Sequence, residues 1–443
     1  MSQLIRMNGR LFSNVLLIGL LACLCACETV SPVVQEEGRD PEEQLVPETP
    51  QAPETPETPE TPEYYPAVRI ALTTADEKLR NASNAFGLSV FDQLLKADDG
   101  QKDVVFSPLS LSLALSMAAD GAAGDTYKQF ADVLGWGSLT REEVGAFYAK
   151  MIAGLVEADR QVSFISSNSL WAAKDFSLKD AYKEQLEESF AAESYSVDFS
   201  LPETLGEIND WCAAKTDGKI KKMLESLDAR TRIILINALL FKAPWSLEWE
   251  VKAERPFQAR QAAVKKDYLF ADGQFSYRAF EGYEVVGVPY GNRAYEIDII
   301  LPEAGKTVAG LLASLQPDAL RFLHSTPVEL YLPKFSLEYS TEDALMGSLE
   351  GLGLKLPFQD GKADFSGISA EKLYISKIIQ KTRVDVSENG TEFAAVTEIN
   401  GVATALPGDE QPKKVVFDAN RPFAFLIRET SSNAILLIGT LSE

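Results

Sequence analysis

The chain has 443 residues, of which 46% are hydrophobic, 24% charged and 9% aromatic, as in a globular protein with one large domain or two modest ones. Its formal net charge of −23 argues against nucleic-acid binding, which needs clustered lysine and arginine side chains. Any serine or cysteine hydrolase would have to use the single histidine, His324, and no G-x-S-x-G motif is present, so we do not expect an enzyme. The cysteines Cys23, Cys25, Cys27 and Cys212 lack the spacing of a metal site, and neither a metal nor another cofactor is predicted.

The N-terminal segment has the pattern of a secretory signal. Two arginines precede an apolar run over residues 15–27 that is too short to span a membrane. The end of this run resembles the bacterial lipobox, in which a leucine and small residues precede a cysteine that becomes acylated. We favour Cys27 as the lipid acceptor because an acidic segment follows it directly, with Cys23 as the alternative. Residues 1–26 are therefore predicted to be a lipoprotein signal peptide, and plain secretion is the competing interpretation.

Residues 27–67 are predicted to be a disordered tether. The Pro-Glu-Thr repeat over residues 53–63 gives the segment its character, and positions 28–66 hold eleven acidic residues against the single base Arg39. Few apolar side chains are available to stabilise a fold, proline favours the extended polyproline II conformation, and like charges repel. At about 3.1 Å per residue, some forty residues reach on the order of 120 Å. Such a tether would hold a domain well away from a lipid surface.

One globular domain is predicted over residues 68–443, because no second proline-, glycine- and serine-rich break occurs. Helical patterns come first, over residues 77–95 and 180–191. Strand patterns dominate later, where residues 328–333 alternate as in a half-buried strand. Apolar runs typical of buried strands lie at residues 424–427 and 435–439. Helices early and strands late predict an α+β fold.

Residues 104–121 combine a short apolar strand with a helix that has clear boundary signals. Ser107 offers a capping hydroxyl, and Pro108 follows at a position where a helix needs no amide hydrogen. The next residues are apolar or small on all sides, which predicts a buried helix that ends at Gly121.

This stretch resembles the signature of the serpins around the strand and helix of the "shutter" beneath their main sheet, with Ser107 and Ser110 at the helix start. Further segments match the family in the same order and cover roughly residues 75–443. They are Ile208-Asn209 and Trp211 with residues 216–220, Asn237 through the "breach" tryptophan Trp245, Leu332-Pro333-Lys334-Phe335 and Asn420-Arg421-Pro422-Phe423. The resemblance implies the serpin fold, with helices packed on a large mixed central sheet, smaller sheets, and an exposed reactive-centre loop at about residues 388–414.

The hinge of that loop carries the most specific resemblance. It matches the inhibitory pattern of Glu-x-Gly-Thr-Glu followed by small residues and a threonine, at Glu388, Gly390, Thr391, Glu392, Phe393, Ala394, Ala395 and Thr397. Successive strand residues face opposite sides, and the face that starts at Thr391 carries no charge through Gly401. The segment could therefore be half-buried as a strand, although it ends in a stretch rich in loop-forming residues. A segment able to be both loop and strand is what insertion into a sheet requires.

The resemblance implies that a protease cleaves the loop, forms an acyl-enzyme, and is trapped when the loop inserts into the main sheet. The partner is thus a target protease, joined covalently, and the inhibitor is expected to be a monomer. The usual spacing from the hinge puts the reactive bond at Thr404–Ala405, whereas counting back from residues 421–423 gives Gly408–Asp409. We favour the first because the hinge side sets the length of insertion. Small residues at 402–405 suit elastase-like serine or papain-like cysteine proteases.

Some residues depart from the family pattern. Phe393 replaces the usual small residue on the face that should turn inward, and could make the protein a substrate instead of an inhibitor. A non-inhibitory serpin, either a decoy substrate or a binding and carrier module, is therefore the alternative. Gln380 stands where many serpins have the shutter histidine and can bond Ser107 without a pH switch. Family analogy also suggests that Glu388 pairs with Lys334.

Overall fold

The computed structural model describes residues 65–97, 102–312, 315, 317–342, 344–391 and 413–443. The predicted signal peptide, most of the predicted tether, both candidate reactive bonds and the hinge residues from Glu392 to Thr397 lie outside the described residues. The α-helices are α1 (Thr74–Ala97), α2 (Pro108–Asp120), α3 (Gly124–Val133), α4 (Arg141–Ala158), α5 (Asp180–Phe190), α6 (Pro202–Lys215), α7 (Val308–Leu312) and α8 (Leu345–Gly351). Short 3₁₀ helices lie at Pro317–Phe322 and Leu356–Phe358.

The strands confirm the predicted α+β class, because most of them follow the first six helices. They are β1 (Val105–Phe106), β2 (Ser163–Ala173), β3 (Glu193–Val197), β4 (Ile233–Lys242), β5 (Glu250–Gln258), β6 (Ala263–Phe280), β7 (Tyr283–Tyr290), β8 (Tyr295–Pro302), β9 (His324–Pro333), β10 (Phe335–Ser340), β11 (Ile375–Ser387), β12 (Gly390–Thr391), β13 (Val415–Asp418), β14 (Phe423–Glu429) and β15 (Ala434–Leu441). The alternating segment at residues 328–333 and the two apolar runs near the C-terminus all lie in strands, as predicted.

Two sheets organise the described chain. The main sheet has the order β10-β11-β4-β2-β3, with β12 paired to the end of β11. The second sheet has the order β1-β15-β14-β8-β7-β6-β9-β13. A further strand, β5, also belongs to this sheet and pairs with β6. The long strand β6 pairs with β7 at one end and with β9 along most of its length, so it joins what would otherwise be two smaller sheets.

The centre of the main sheet is a direct parallel pair of β4 and β11. Its register runs from Ile375 opposite Ile233 to Arg383 opposite Leu240. The α6 residues Ile208 and Cys212 are fully buried in an apolar cluster that also contains side chains from both β4 and β11. Separating these two strands therefore disturbs the packing beneath α6.

Helix α2 begins as the sequence predicts. Ser107 has an extended backbone, and its side chain accepts a hydrogen bond from the amide of Ser110, while Pro108 occupies the first turn. The helix ends at Gly121, but this glycine does not adopt a left-handed conformation, because its φ is −87°. A Cβ at Gly121 would lie 2.2 Å from Cγ1 of Ile368, so close packing is what excludes a side chain.

The first described residues lie against the end of α4. The carbonyl of Tyr65 accepts a hydrogen bond from the side-chain amide of Asn292, and Val68 donates its amide hydrogen to the carbonyl of Ala158. Ile70 is buried next to Gly154, where a Cβ would meet its Cγ1 at 2.9 Å. Within the part of the chain that the structure describes, no helix is long and apolar enough to cross a bilayer.

Candidate functional site: the hinge and the strands that flank it

A buried glutamine connects the two central strands of the main sheet. Gln380 on β11 lies opposite Asn237 on β4, and its Nε2 donates to Oδ1 of Asn237 at 2.9 Å. Its Oε1 accepts from the backbone amide of Ser107 at 2.6 Å, and its Nε2 also donates to the carbonyl of Ser107 at 3.2 Å. The expected contact with Ser107 is thus made to the main chain. One side chain therefore links β11, β4 and the start of α2.

The network continues to β2 through serines and an asparagine. Asn237 donates to Oγ of Ser166 at 3.1 Å and to Oδ1 of Asn168 at 2.9 Å. Ser166 donates to Ser110 at 2.8 Å, and Ser107 donates to Ser110 at 2.9 Å. Sequence reasoning missed Ser166 and Asn168. Their only sequence signal is a polar run within an otherwise strand-like segment, which names no partner.

The tryptophan predicted at the breach binds the top of β11. Trp245 donates its indole Nε1–H to the carbonyl of Ser387 at 2.7 Å. Its ring stacks on Tyr290 with a centroid distance of 4.4 Å and an interplanar angle of 12°. The Tyr290 hydroxyl shares a hydrogen bond of 2.8 Å with the Thr391 hydroxyl, and both residues are buried. Tyr290 is a third site residue that the sequence did not reveal, since no motif marks it.

Two residues of the hinge, Gly390 and Thr391, already form strand structure. Thr391 exchanges two backbone hydrogen bonds with Ala243, of 2.9 and 2.8 Å, and also pairs with Val386 on β11. Its side chain is only 1% exposed. Gly390 has φ of 109°, and a Cβ there would lie 2.2 Å from the Ala243 carbonyl oxygen, so the position requires glycine. Thr391 is therefore seated between the end of β11 and the residue that follows β4.

An ion pair lies at the first residue of the hinge. The carboxylate of Glu388 lies 2.7 Å from Nζ of Lys334, with both side chains partly exposed. The hydrogen bond from Lys334 lowers the pKa of Glu388, so this stabilisation is lost as the pH falls through that lowered pKa. Because both groups reach solvent, the pair contributes only about 0–1 kcal/mol. The pairing suggested by family analogy is present.

The far end of the loop is held by charges on the second sheet. Lys414 lies 2.7 Å from Asp272 on β6 and 2.8 Å from Glu329 on β9. Directly after it, β13 pairs in parallel with β9. The structure thus places both ends of the predicted loop, at Thr391 and Lys414, and describes nothing of residues 392–412 between them.

The residues that could have suggested other chemistry are not gathered into a site. His324 is exposed at the first residue of β9, and Cys212 is fully buried in α6, where burial raises the pKa of its thiol to about 12. In the described ranges, no group of three or more histidine, cysteine, aspartate or glutamate side chains is placed to hold a metal ion.

Comparison with known proteins agrees with this architecture. The family model described as "Serpin (serine protease inhibitor)" matches residues 81–443. The chain is 33% identical to human Serpin B9 over 387 residues, which is 83% of this chain and all of that protein. It is 32% identical to Iripin-2 from Ixodes ricinus over 382 residues, or 83% of this chain and 94% of that protein.

The solved structures add the same relationship at the level of the fold. The native state of tengpin, a thermophilic serpin, superimposes with a TM-score of 0.75 at 27% identity, over 86% of this chain and 97% of that one. Members of the matched family are in general protease inhibitors and not enzymes. With its family match, its relatives and its fold in agreement, the chain belongs to the serpin family.

Proposed function

We propose that this serpin inhibits proteases as a suicide substrate, through cleavage of its loop and insertion of the cut strand into the main sheet. The observation that carries the proposal is the position of Thr391. It is seated between Ala243 and Val386 while β4 and β11 are still paired directly below it. Thr391 thus forms the first pair of a potential inserted strand. The rest of that strand would have to lie between β4 and β11, which are paired directly with each other.

The register of this first rung predicts where an inserted strand would go. Thr391 forms antiparallel pairs with both Val386 and Ala243. Continued in the same register, the strand brings Thr397 level with Gln380 and Asn237, on the same face as Thr391. Insertion would break the Gln380–Asn237 hydrogen bond, and the Thr397 hydroxyl would be available to both amides in exchange.

The chemistry of trapping belongs to the protease. Its serine or cysteine nucleophile attacks the carbonyl carbon of Thr404, and the bond to the nitrogen of Ala405 breaks as that nitrogen takes up a proton and leaves as an amine. The acyl-enzyme then remains linked to the part of the loop that inserts. The small residues at positions 402–405 support elastase-like serine proteases or papain-like cysteine proteases as targets.

The test is complex formation with pancreatic elastase and with papain. We expect a complex that survives SDS, and mass spectrometry of the released C-terminal fragment should find its new N-terminus at Ala405. A cut at Gly408 would favour the alternative bond, and cleavage only at Lys413 or Lys414 would contradict the target class. Thr391→Arg is the informative variant, because a buried position with 1% exposure cannot accept a guanidinium without a partner. It should be cleaved at the same bond without forming a complex.

One observation favours a non-inhibitory serpin, either a decoy substrate or a binding and carrier module. In the register above, Phe393 comes level with Phe241 and Val384, which are both 1% exposed and belong to the packed core. Adding a phenyl ring there is overpacking and could slow insertion until the acyl-enzyme hydrolyses. Phe393→Ala separates the two functions. If the wild type is only cleaved and the variant forms the complex, the decoy function holds.

We further propose that the protein is a secreted monomer, anchored by a lipid at Cys27 to a bacterial membrane, at the outer membrane, the cell surface or the periplasmic face. The lipobox-like sequence and the acidic repeat behind it support this. Labelled palmitate should enter the wild type and Cys23→Ser but not Cys27→Ser. Labelling that is lost only in Cys23→Ser would move the acceptor to Cys23. Size-exclusion chromatography of the domain tests the monomer.

A further inference from the structure

An asparagine–glycine pair lies in the turn between β11 and β12, at the start of the hinge. Asn389 is exposed, and its backbone amide donates to Oγ of Ser387 at 3.4 Å. Its side-chain amide makes no hydrogen bond among the described residues. Gly390 follows directly and pairs with Ser387 at the end of β11. An unbonded side-chain amide therefore stands next to a backbone nitrogen whose residue has no side chain.

The side chain of such a pair can react with the main chain. The backbone nitrogen of Gly390 attacks Cγ of Asn389, its proton passes to the side-chain nitrogen, and ammonia leaves from Cγ. Glycine favours the resulting five-membered succinimide because it has no Cβ to obstruct the attack. Water then opens the ring. Opening at Cγ leaves aspartate, and opening at the main-chain carbonyl carbon leaves isoaspartate, in which the main chain runs through Cβ and Cγ.

The hinge has no room for the isoaspartate form. Isoaspartate adds one atom to the main chain between Cα of residue 389 and the nitrogen of Gly390. A Cβ on Gly390 would already lie 2.2 Å from the carbonyl oxygen of Ala243. Thr391 is held by backbone hydrogen bonds of 2.9 and 2.8 Å to Ala243 and by its hydroxyl at Tyr290. A longer turn therefore pushes Gly390 against Ala243 or breaks the contacts of Thr391.

The aspartate form differs from isoaspartate in this respect. It keeps the normal length of the main chain and adds one charge at an exposed position. We therefore expect the hinge to tolerate aspartate at position 389. Asn389→Asp thus separates the effect of the charge from the effect of the longer main chain.

We propose that Asn389 is a modification site, at which conversion to isoaspartate releases Thr391 from Ala243 and disables the hinge. The loss of inhibition rests on the proposed function, whereas the chemical change and the release of Thr391 do not. Glycine at position 390 is required by its contact with Ala243, so the residue at position 389 sets how long the hinge survives. The reaction needs no reagent other than water.

The chemical change is tested by incubating the full chain at mildly alkaline pH, where the backbone nitrogen loses its proton more readily, and mapping its peptides. We expect a mass gain of about 1 Da at Asn389, as the amide becomes a carboxylate. Labelling by an isoaspartate-specific methyltransferase should mark the same peptide. Asn81 is the internal reference, because it is also exposed but lies within α1 and precedes an alanine. It should stay unchanged while Asn389 converts.

The release of Thr391 is tested by hydrogen exchange, which needs no protease. Its backbone amide should exchange faster in the isoaspartate form than in fresh wild type or fresh Asn389→Asp. Asn389→Gln is the matched variant, because it keeps an amide but would have to close a six-membered ring, which forms far more slowly. After the same incubation, Asn389→Gln should keep both its slow exchange and its complex formation with elastase or papain. In aged wild type, the fraction that no longer forms the complex should equal the isoaspartate fraction.

The outcomes separate the two proposals. Conversion at Asn400, which also precedes a glycine, without conversion at Asn389 would overturn the modification site. So would an isoaspartate form in which the Thr391 amide exchanges no faster, or one that still forms the complex in full. If fresh wild type forms no complex with either protease, the inhibitory function fails, and the exchange rate of Thr391 still decides whether isoaspartate releases the hinge.

Discussion

At the scale of single residues, the hinge depends on one buried hydroxyl pair. Thr391 could form its two backbone hydrogen bonds with Ala243 whatever its side chain, but its hydroxyl also reaches Tyr290. Burial raises the pKa of the Tyr290 phenol far above its usual range, so the phenol stays neutral and able to donate. The hydroxyl of Thr391 thus holds the hinge in place together with the backbone hydrogen bonds.

The hydroxyl pair can be measured with a double-mutant cycle. Thr391→Val and Tyr290→Phe each remove one hydroxyl with little change in shape. Each should lower the free energy of unfolding by about 1 kcal/mol, because the hydroxyl left behind is buried without its partner. The double variant should cost less than the sum of the two. Additive losses, read from urea unfolding, would show that the two hydroxyls do not interact.

The shutter glutamine can be tested in the same way. Gln380→Ala leaves Oδ1 of Asn237 and the amide of Ser107 buried without a hydrogen-bond partner. We therefore expect the free energy of unfolding to fall by about 2 kcal/mol. The substitution also removes a link between β4 and β11, so insertion after cleavage should become faster. Thr382→Ala is a suitable control, because the Thr382 hydroxyl on the same strand makes no hydrogen bond among the described residues. An equal loss for both variants would argue against the network.

At the scale of elements, the second sheet contains a buried charge cluster between β8 and β14. Arg428 bonds the carboxylates of Asp298 and Glu296, and all three side chains are nearly inaccessible. Burial, followed by the negative charge of Asp298, raises the pKa of Glu296 to about 7. One guanidinium therefore faces two acids, and Nε of Arg428 donates to Asp298 at 2.6 Å.

This cluster predicts how stability changes with pH. Glu296 keeps its proton in the folded state up to about pH 7, whereas its ordinary pKa is 4.5, so the stability it contributes is lost as the pH rises between these values. Glu296→Gln cannot ionise and should not show that loss. The difference in unfolding free energy between this variant and the wild type should therefore shift in favour of the variant by on the order of 2 kcal/mol from pH 5 to pH 8. Asp298→Asn should destabilise at both pH values, because it leaves Arg428 buried without its main partner. Parallel pH profiles for the wild type and Glu296→Gln would contradict the assignment.

At the scale of the whole molecule, β4 and β11 pair directly with each other in the described structure. If the proposed insertion takes place, the uncut state is kinetically trapped and cutting the loop would release the stored free energy. We expect the melting temperature to rise by tens of degrees after cleavage within residues 392–412, as followed by circular dichroism. Thr391→Arg, cut at the same bond, should show a much smaller rise. No rise in the cut wild type would mean that no strand is inserted.

The local features of the fold were predictable from the sequence because local chemistry produces them. A capping serine followed by proline starts α2, and the alternation at residues 328–333 makes a strand whatever lies next to it. The positions of the shutter, breach and hinge residues came from short motifs in a known order. The glycine at position 390 was predicted in the same way, although the contact with Ala243 that requires it was not.

The sequence alone therefore determined the fold class, the extent of the family resemblance and the charge pattern of the hinge, and the resemblance suggested the pair of Glu388 with Lys334. The tertiary structure decided which distant residues complete the site. Tyr290 meets Thr391 across 101 positions, and Gln380 meets Ser107 across 273, and no local pattern encodes either contact. It also decided that Gln380 bonds the main chain of Ser107, and that Thr391 is seated between Ala243 and Val386. Such contacts depend on sheet register and on the packing of elements, which the whole chain sets together.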